Sequence, residues 1–293
     1  MRPAARAQRP NKPMNEQALR RIWLCADDYG IAPGVNEAIR DLVARGRLNA
    51  TSVMVVAPSF SRTEADALDA LNAAGERVAI GLHLTLTGPL KPLTASYAPL
   101  VDGAFLPLTT TLRLAVQQRL DMVALAAEMR AQFEAFAKAF GRAPDFVDGH
   151  QHVHLFPQVR HAALEAVAWM APHAWARQCG SSRPLARRLS DPKGLLIDYF
   201  SREFRARAAR HGVTTNPAFA GTYTYRLDAD FPRLFPQFLE GMPEGGLIMC
   251  HPGHVDDELM RLDPLTLLRE KEYDYLAGDA FPADLAAAGV KLN

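Results

Sequence analysis

The 293-residue sequence has little cysteine: Cys25, Cys179 and Cys250 are too few and too scattered for a disulfide framework or a structural zinc knot. A reducing compartment, most simply the cytoplasm, fits that usage. Net charge is nearly absent too, with 33 Lys plus Arg against 32 Asp plus Glu giving +1, so no nucleic acid or other polyelectrolyte partner is implied. No stretch approaches the ~18 consecutive apolar residues of a membrane span. The opening MRPAARAQRPNKPMNEQ carries Arg2, Arg6, Arg9 and Lys12 but lacks the apolar middle of a secretory signal, and residues 1–18 are expected to be a disordered basic tail. HExxH, a Walker A loop, GxSxG and a GxGxxG after a strand are all missing, which leaves zincin, nucleotide-binding and serine-hydrolase readings without motif support.

What is present is a globular composition, 48% hydrophobic and 22% charged, which argues against extensive disorder. Short apolar runs alternate with segments of helical period, the signature of βαβ units around a mostly parallel sheet. Strands are expected at 22–26, 51–56, 78–86, 146–147, 175–179 and 247–250. Helices are expected after Pro33, with Val35, Ala38, Ile39, Leu42 and Val43 on one face and Gly46 closing it, then over 61–74 and 122–140. The segment 88–142 is long for a connection and reads as an insertion that could wall a site. Arg202, Arg205, Arg207 and Arg210 make a basic helix face, read as solvated surface.

Several of the runs end on an acid or a histidine. Asp27 and Asp28 follow the first, His83 lies in GLHLTLT, Asp148 and His150 in VDGHQHVH, and His251 in MCHPGH. In an α/β barrel the C-terminal strand ends share one mouth, so these groups are expected to converge. Adjacent carboxylates at the end of a buried strand repel, and ionising both is costly unless a cation or hydrogen bonds stabilise the pair. A metal resolves the conflict: one carboxylate and two imidazoles hold a divalent ion and leave positions open for water and substrate. Asp28, His83 and His150 fit that set, with Asp27 placed as general base and His251 as the acid that protonates the leaving group. A lone strand-end histidine is more often a structural hydrogen-bonding residue, and Asp-Asp before Tyr-Gly can merely cap a turn. The joint placement is harder to obtain from packing needs. Within HQHVH, spacing does not choose the ligand, because His150, His152 and His154 share a face if extended and His150 and His154 do in a helical turn. Cys25 and Cys250 beside the site are read as buried structural residues.

The motifs ADDYG, GLHLTLTGPLKPL, VDGHQHVHLFP and CHPG, in this order and at these separations, resemble the YdjC-like carbohydrate deacetylase family. Chitooligosaccharide deacetylases and hopanoid-biosynthesis-associated deacetylases belong to it. The resemblance runs from about residue 24 to 292. It implies an α/β fold, a distorted TIM-like (β/α) barrel with an incomplete strand set, as a single domain over 19–293, and metal-dependent removal of acetyl from an N-acetylated amino sugar. By motif position it implies Asp28, His83 and His150 as metal ligands, Asp27 as base and His251 as the histidine of the Cys-His-Pro motif. Tyr29 stands where ADDFG has phenylalanine and could add a hydroxyl near the mouth; Gln151 stands where some relatives have another histidine. Arg177, in WARQC, resembles an arginine that holds the catalytic aspartate in related polysaccharide deacetylases. The implied cofactor is one divalent ion, zinc or magnesium. The substrate is expected to be an oligosaccharide or a glycoconjugate, with Tyr97, Phe105, Tyr223 and Tyr225 as candidates to stack on sugar faces, and a homodimer is the default assembly. The alternatives are another metal-dependent hydrolase on the same barrel, an amidohydrolase or a phosphoesterase, and a non-catalytic sugar-binding protein.

Overall fold

The computed structural model describes residues 19–73, 75, 77–181 and 192–292, so the tail expected at 1–18 lies outside the described residues. The chain starts with β1 (Arg20–Tyr29), the longest strand, in which Leu24, Cys25 and Ala26 are all fully buried. Burial on both faces is what a near-continuous apolar run in a parallel sheet means. Pro33 opens α1 (Pro33–Ala44), whose buried stripe contains Val35, Ala38, Ile39, Leu42 and Val43 as the spacing predicts. β2 (Ala50–Val53), α2 (Arg62–Asp69) and β3 (Ala79–Leu84) follow, with the Ser61 side chain accepting from the Glu64 N–H to cap α2. The long connection after β3 carries α3 (Leu108–Val116), which the sequence reading did not foresee. Asp121 then caps α4 (Met122–Phe140), and Gly141, at φ +71°, ends it.

The second half runs β4 (Phe146–Gly149), α5 (Val159–Met170), β5 (Trp175–Ala176), α6 (Pro192–Arg210), β6 (Phe219–Ala220), α7 (Phe231–Leu239), β7 (Leu247–Cys250), α8 (Asp257–Leu262), α9 (Leu267–Ala277), α10 (Ala280–Ala287) and β8 (Val290–Leu292). The strands order as β5-β4-β3-β2-β1-β7-β6 with β8 beside β1, and all their pairings are parallel. Isolated parallel bridges, Ala176 to Thr215 and Ser181 to Phe219, join the two outer members. The sheet therefore curls into the distorted TIM-like barrel expected, its last seam held by single bridges instead of a ladder.

Three strands stop short of the expected ends, β2 at Val53 among them, and for the other two the reason is visible. β3 ends at Leu84 because both the N–H and the C=O of Thr85 bond to Gln132 of α4. β5 ends at Ala176 because, after the Arg177 N–H makes a last backbone bond to Val147, the following N–H groups turn to side chains: Gln178 to Asn216, Cys179 to Ser201 and Gly180 to the Gln178 amide. Backbone groups satisfied by side chains cannot extend a ladder. In both places the chain leaves the sheet at its C-terminal end, where a mouth is formed.

Candidate active site

Consecutive residues of a strand point to opposite faces, so Asp27 and Asp28 should not share a mouth. A β-bulge lets them do so. Ala26 pairs with Thr51 but Tyr29 with Val53, three steps on β1 against two on β2, and Asp28 sits at φ +72° in the left-handed region. Gly30 follows at φ +102°, with its N–H donated to Asn36. ADDYG is thus a strand end built to turn two carboxylates the same way.

Each carboxylate has its own guanidinium. Arg177 donates Nη1 to Asp27 Oδ2 and Nη2 to Asp27 Oδ1, both at 2.6 Å, and its Nη2 also lies 2.5 Å from Asp148 Oδ2. Arg269 donates Nη2 to Asp28 Oδ2 at 2.6 Å and to Asp263 at 2.8 Å. Both arginines are fully buried. Burial alone would push the two carboxyls up, but Arg177 and His83 hold Asp27, and Arg269 and His150 hold Asp28, well below the usual carboxylate range. His154 accepts no charge in this arrangement: it bonds through Nε2 to the Arg177 carbonyl at 2.9 Å, and burial lowers it to about 4. Gly149 is required beneath it, since a Cβ there would lie 2.9 Å from His154 Nδ1.

His83 and Asp148 are register partners on β3 and β4, which puts them on one face. Asp148 Oδ1 lies 2.6 Å from His83 Nδ1, leaving His83 Nε2 at 3.3 Å from Asp28 Oδ1. His150 Nδ1 approaches that same oxygen at 3.0 Å. Burial works to lower His83, but Asp148 and Asp27 outweigh it and raise it to about 10. A proton on Nε2 and a divalent cation compete for one lone pair, so surroundings that favour the imidazolium also favour a cation.

The donor set fits a metal by a distance test. Ligands at 2.0–2.2 Å from one ion lie roughly 2.9 Å apart at right angles and about 3.4 Å apart in a tetrahedron. The Asp28 oxygen lies 3.0 and 3.3 Å from the two ring nitrogens, and all three donors fall within 4.8 Å of one another. The carboxylate behind His83 is the outer hydrogen bond that orients a metal-binding imidazole. A second grouping, Cys25 with Asp27 and Asp148, already surrounds the Arg177 guanidinium, whose Nη2 is also 3.0 Å from Cys25 Sγ.

Asp27, Asp28, His83, His150 and His251 line one cavity of about 440 Å³ at the C-terminal strand ends. Two larger hollows, of about 600 and 580 Å³, contain none of these residues. His251 follows β7; its N–H donates to Glu272, which also accepts from Tyr223 OH, and the Tyr225 ring packs edge-on at 5.7 Å. The structure therefore brings together Asp27, Asp28, His83, His150 and His251 in the cavity, with Asp148 and Arg177 directly behind them. Ser52, Arg269 and Glu272 were missed. Ser52 bridges Asp27 and His83 from inside β2, and the other two reach in from α9.

Several expectations change. The Tyr29 hydroxyl does not reach the mouth: it donates to Glu64 at 2.9 Å and accepts from Arg40. Tyr97 and Phe105 are buried against each other at 5.1 Å, and Tyr223 is engaged by Glu272, so of the four proposed stacking aromatics only Tyr225 lines the cavity. Cys25 and Cys250 are buried as expected.

Comparison with known proteins adds identity to geometry. A family model described as YdjC-like protein matches residues 21–287. The chain is 32% identical over 246 residues to proteins named chitooligosaccharide deacetylase from Yersinia pestis (strain Pestoides F) and Yersinia pseudotuberculosis serotype O:1b (strain IP 31758), covering 80% of this chain and 82% of each relative. A crystal structure from Enterococcus faecalis V583, of a protein named provisionally for cellobiose-phosphate cleavage, superposes with a TM-score of 0.70 at 22% identity, covering 94% of this chain and 97% of that one. That likeness speaks for the fold.

Proposed function

The chain belongs to the YdjC-like family, and from that premise we propose that it is a metal-dependent carbohydrate N-deacetylase, cleaving the acetamide of an N-acetylated amino sugar to acetate and free amine. The observation that carries this reading is the convergence of Asp28, His83 and His150 beside a second ionised carboxylate, with His251 in the same cavity. A divalent ion held by Asp28, His83 and His150, zinc or magnesium, supplies Lewis-acid polarisation of the acetamide carbonyl and acidifies water. Asp27 accepts the proton of the attacking water at its carboxylate. Arg177 keeps that carboxylate ionised and fixes its two oxygens, so the base is always available and always aimed. As water oxygen bonds to the acetyl carbon and the C–N bond breaks, His251 gives a proton to the sugar nitrogen, which leaves as the amine.

Between an oligosaccharide and a glycoconjugate, the cavity walls favour the second. Leu108 and Leu112 of α3, Ile197 and Phe200 of α6, and the rim residues Leu196 and Leu227 are apolar. Leu196 and Leu227 are 44 and 68% exposed, apolar area that an aliphatic part of the substrate would cover. Three buried, unpaired thiols favour a reducing compartment such as the cytoplasm. Among the described residues no helix is long and apolar enough to cross a membrane.

Acetate release tests the reading, with metal-stripped protein reconstituted with zinc, magnesium, manganese or cobalt. The substrates are N-acetylglucosamine oligomers and alkyl glycosides of N-acetylglucosamine. Metal-restored release, highest on the alkyl glycosides, is expected. Release from phosphate esters and not from acetamides would place the chain among other metal hydrolases.

A further inference from the structure

The strand-end segment after β4 holds a group that the mechanism above leaves idle. Gln151 and His152 are consecutive non-glycine residues at φ +52° and +59°. Such backbone persists where the surroundings enforce it, and it clusters where a side chain must be aimed. Here it separates three histidines by role. His150 turns to Asp28, His154 turns under Arg177, and His152 is left on the cavity wall, half-buried, in the same hollow as Asp27 and His251.

Two neighbours fix the His152 ring. Its Nδ1 lies 3.5 Å from Cys179 Sγ, and the Phe219 ring packs against it edge-on at 5.7 Å. Cys179 is 2% exposed, and burial pushes its thiol up so that it keeps its proton. With Cys179 protonated, the S–H is placed to donate to Nδ1, and in that arrangement the ring hydrogen sits on Nε2. Among the described residues Nε2 has no hydrogen-bond partner. Cys179 follows β5 and Phe219 lies in β6, which places His152 on the side of the mouth that leads to His251 on β7, away from His83 on β3.

We infer that His152 is a substrate-contacting hydrogen-bond donor, its Nε2–H set by Cys179 and directed at an oxygen of the amino sugar next to the scissile amide on the leaving-group side. It is a specificity residue that recognises a hydroxyl or ring oxygen. The inference rests on the deacetylase reading and gives it a sugar-reading contact that the aliphatic walls do not provide. No proton is transferred by His152.

The test compares wild type with His152→Ala and His152→Gln on two acetamides, an alkyl glycoside of N-acetylglucosamine and the non-sugar 4-nitroacetanilide. His152→Ala should raise KM for the sugar roughly tenfold, the worth of one hydrogen bond. Its kcat and its metal content should stay near wild type, its activity on the anilide should be unchanged, and Gln should recover part of the loss. Equal loss on both substrates, a fall confined to kcat, or loss of metal would overturn the inference. If wild type acts on neither probe, the deacetylase reading fails separately, and the ring itself decides the rest. Nitrogen-15 spectra of wild-type histidines should show the Nε2–H tautomer at His152, lost as a single form in Cys179→Ala; an Nδ1–H imidazole in wild type overturns the inference.

Discussion

At the N-terminal end of the barrel strands, Trp23, Trp175 and Phe146 pack at 5.9 and 4.4 Å, and Asn49 and Asp145 serve the backbone, Asp145 also pairing with Arg142. Asn49 accepts from Leu24 N–H and donates to the Ile22 carbonyl, and Asp145 accepts from Ile80 N–H. At the C-terminal end the polar side chains face one another: Asp27, Asp28, His83, Asp148 and His150, held by two buried arginines, with three non-glycine residues at positive φ and His251 Nδ1 buried without a partner among the described residues. One end spends its polar groups on holding the sheet. The other holds charge in place against burial, the pattern of a site and not of a scaffold.

At the C-terminal end the heaviest loss should come from removing the base. Asp27→Asn keeps the shape and one of the Arg177 contacts but removes the proton acceptor, so turnover should fall by roughly 10²–10⁴. Metal content, measured by elemental analysis after dialysis, should hold. Near-wild-type acetate release from that variant would remove Asp27 as the base. His83→Ala and His150→Ala should do the reverse and lose metal; unchanged metal content strikes them from the ligand set.

The next effect separates the two ends by stability. Arg177→Met takes the guanidinium from the buried Asp27 carboxylate and from Asp148 Oδ2, leaving Asp148 only its His83 contact, and breaking a buried pair from one side costs about 3–5 kcal/mol. Trp175→Ala, at the other end, removes a half-buried ring stacked on Phe146 and should cost about 2–3 kcal/mol, short of the ~3–5 of a fully buried aromatic. Denaturant unfolding reads both. Only the first should also abolish turnover per folded molecule; a tryptophan variant that loses turnover would show that the two ends are coupled.

A pH series sharpens the contrast within the mouth. His83 rises from 6.5 to about 10 on folding, so the stability it contributes is complete below about pH 6.5 and is lost as pH climbs through 10. Asp27 and Asp28 are depressed, so theirs is present above about pH 4 and is lost as pH falls through their lower folded values. Metal-stripped protein should therefore lose Tm steadily from pH 6.5 to 10. Added divalent metal, taking the place of the His83 proton, should flatten that limb. A metal-free Tm that stays level to pH 10 would mean that His83 is not charged.

Much of the site was legible because the chain writes it at strand ends. ADDYG, GLHL, VDGH and CHPG each put a polar group directly after an apolar run, and a barrel needs only parallel strands to gather such groups. Asp27 and Asp28 do require compensating cations, and in the fold these include the guanidinium groups of Arg177 and Arg269. Arg269 and Glu272 were not legible: three residues apart on α9, they share a face, but LLREKEYDY reads as a solvated charged helix until packing shows which face is buried. Ser52 sits inside a strand with no local mark. β6 and β8 are two and three residues long, too short for any period to show. The bulge at Asp28 was invisible for a different reason, since nothing in Asp-Asp says that one of the pair adopts a left-handed backbone.

Tyr29 marks the boundary of the mouth. Tyr29 follows the two aspartates directly, yet its hydroxyl lies between Glu64 and Arg40, under α2 and α1. Tyr29→Phe gives up those hydrogen bonds while the Arg40–Glu64 ion pair persists, and it restores the phenylalanine usual in the family motif. The cost should stay within about 1–1.5 kcal/mol of unfolding free energy, and kcat/KM should not change. A drop in kcat/KM at unchanged stability would mean that the hydroxyl acts on substrate, and would move the edge of the active site one residue further along the strand.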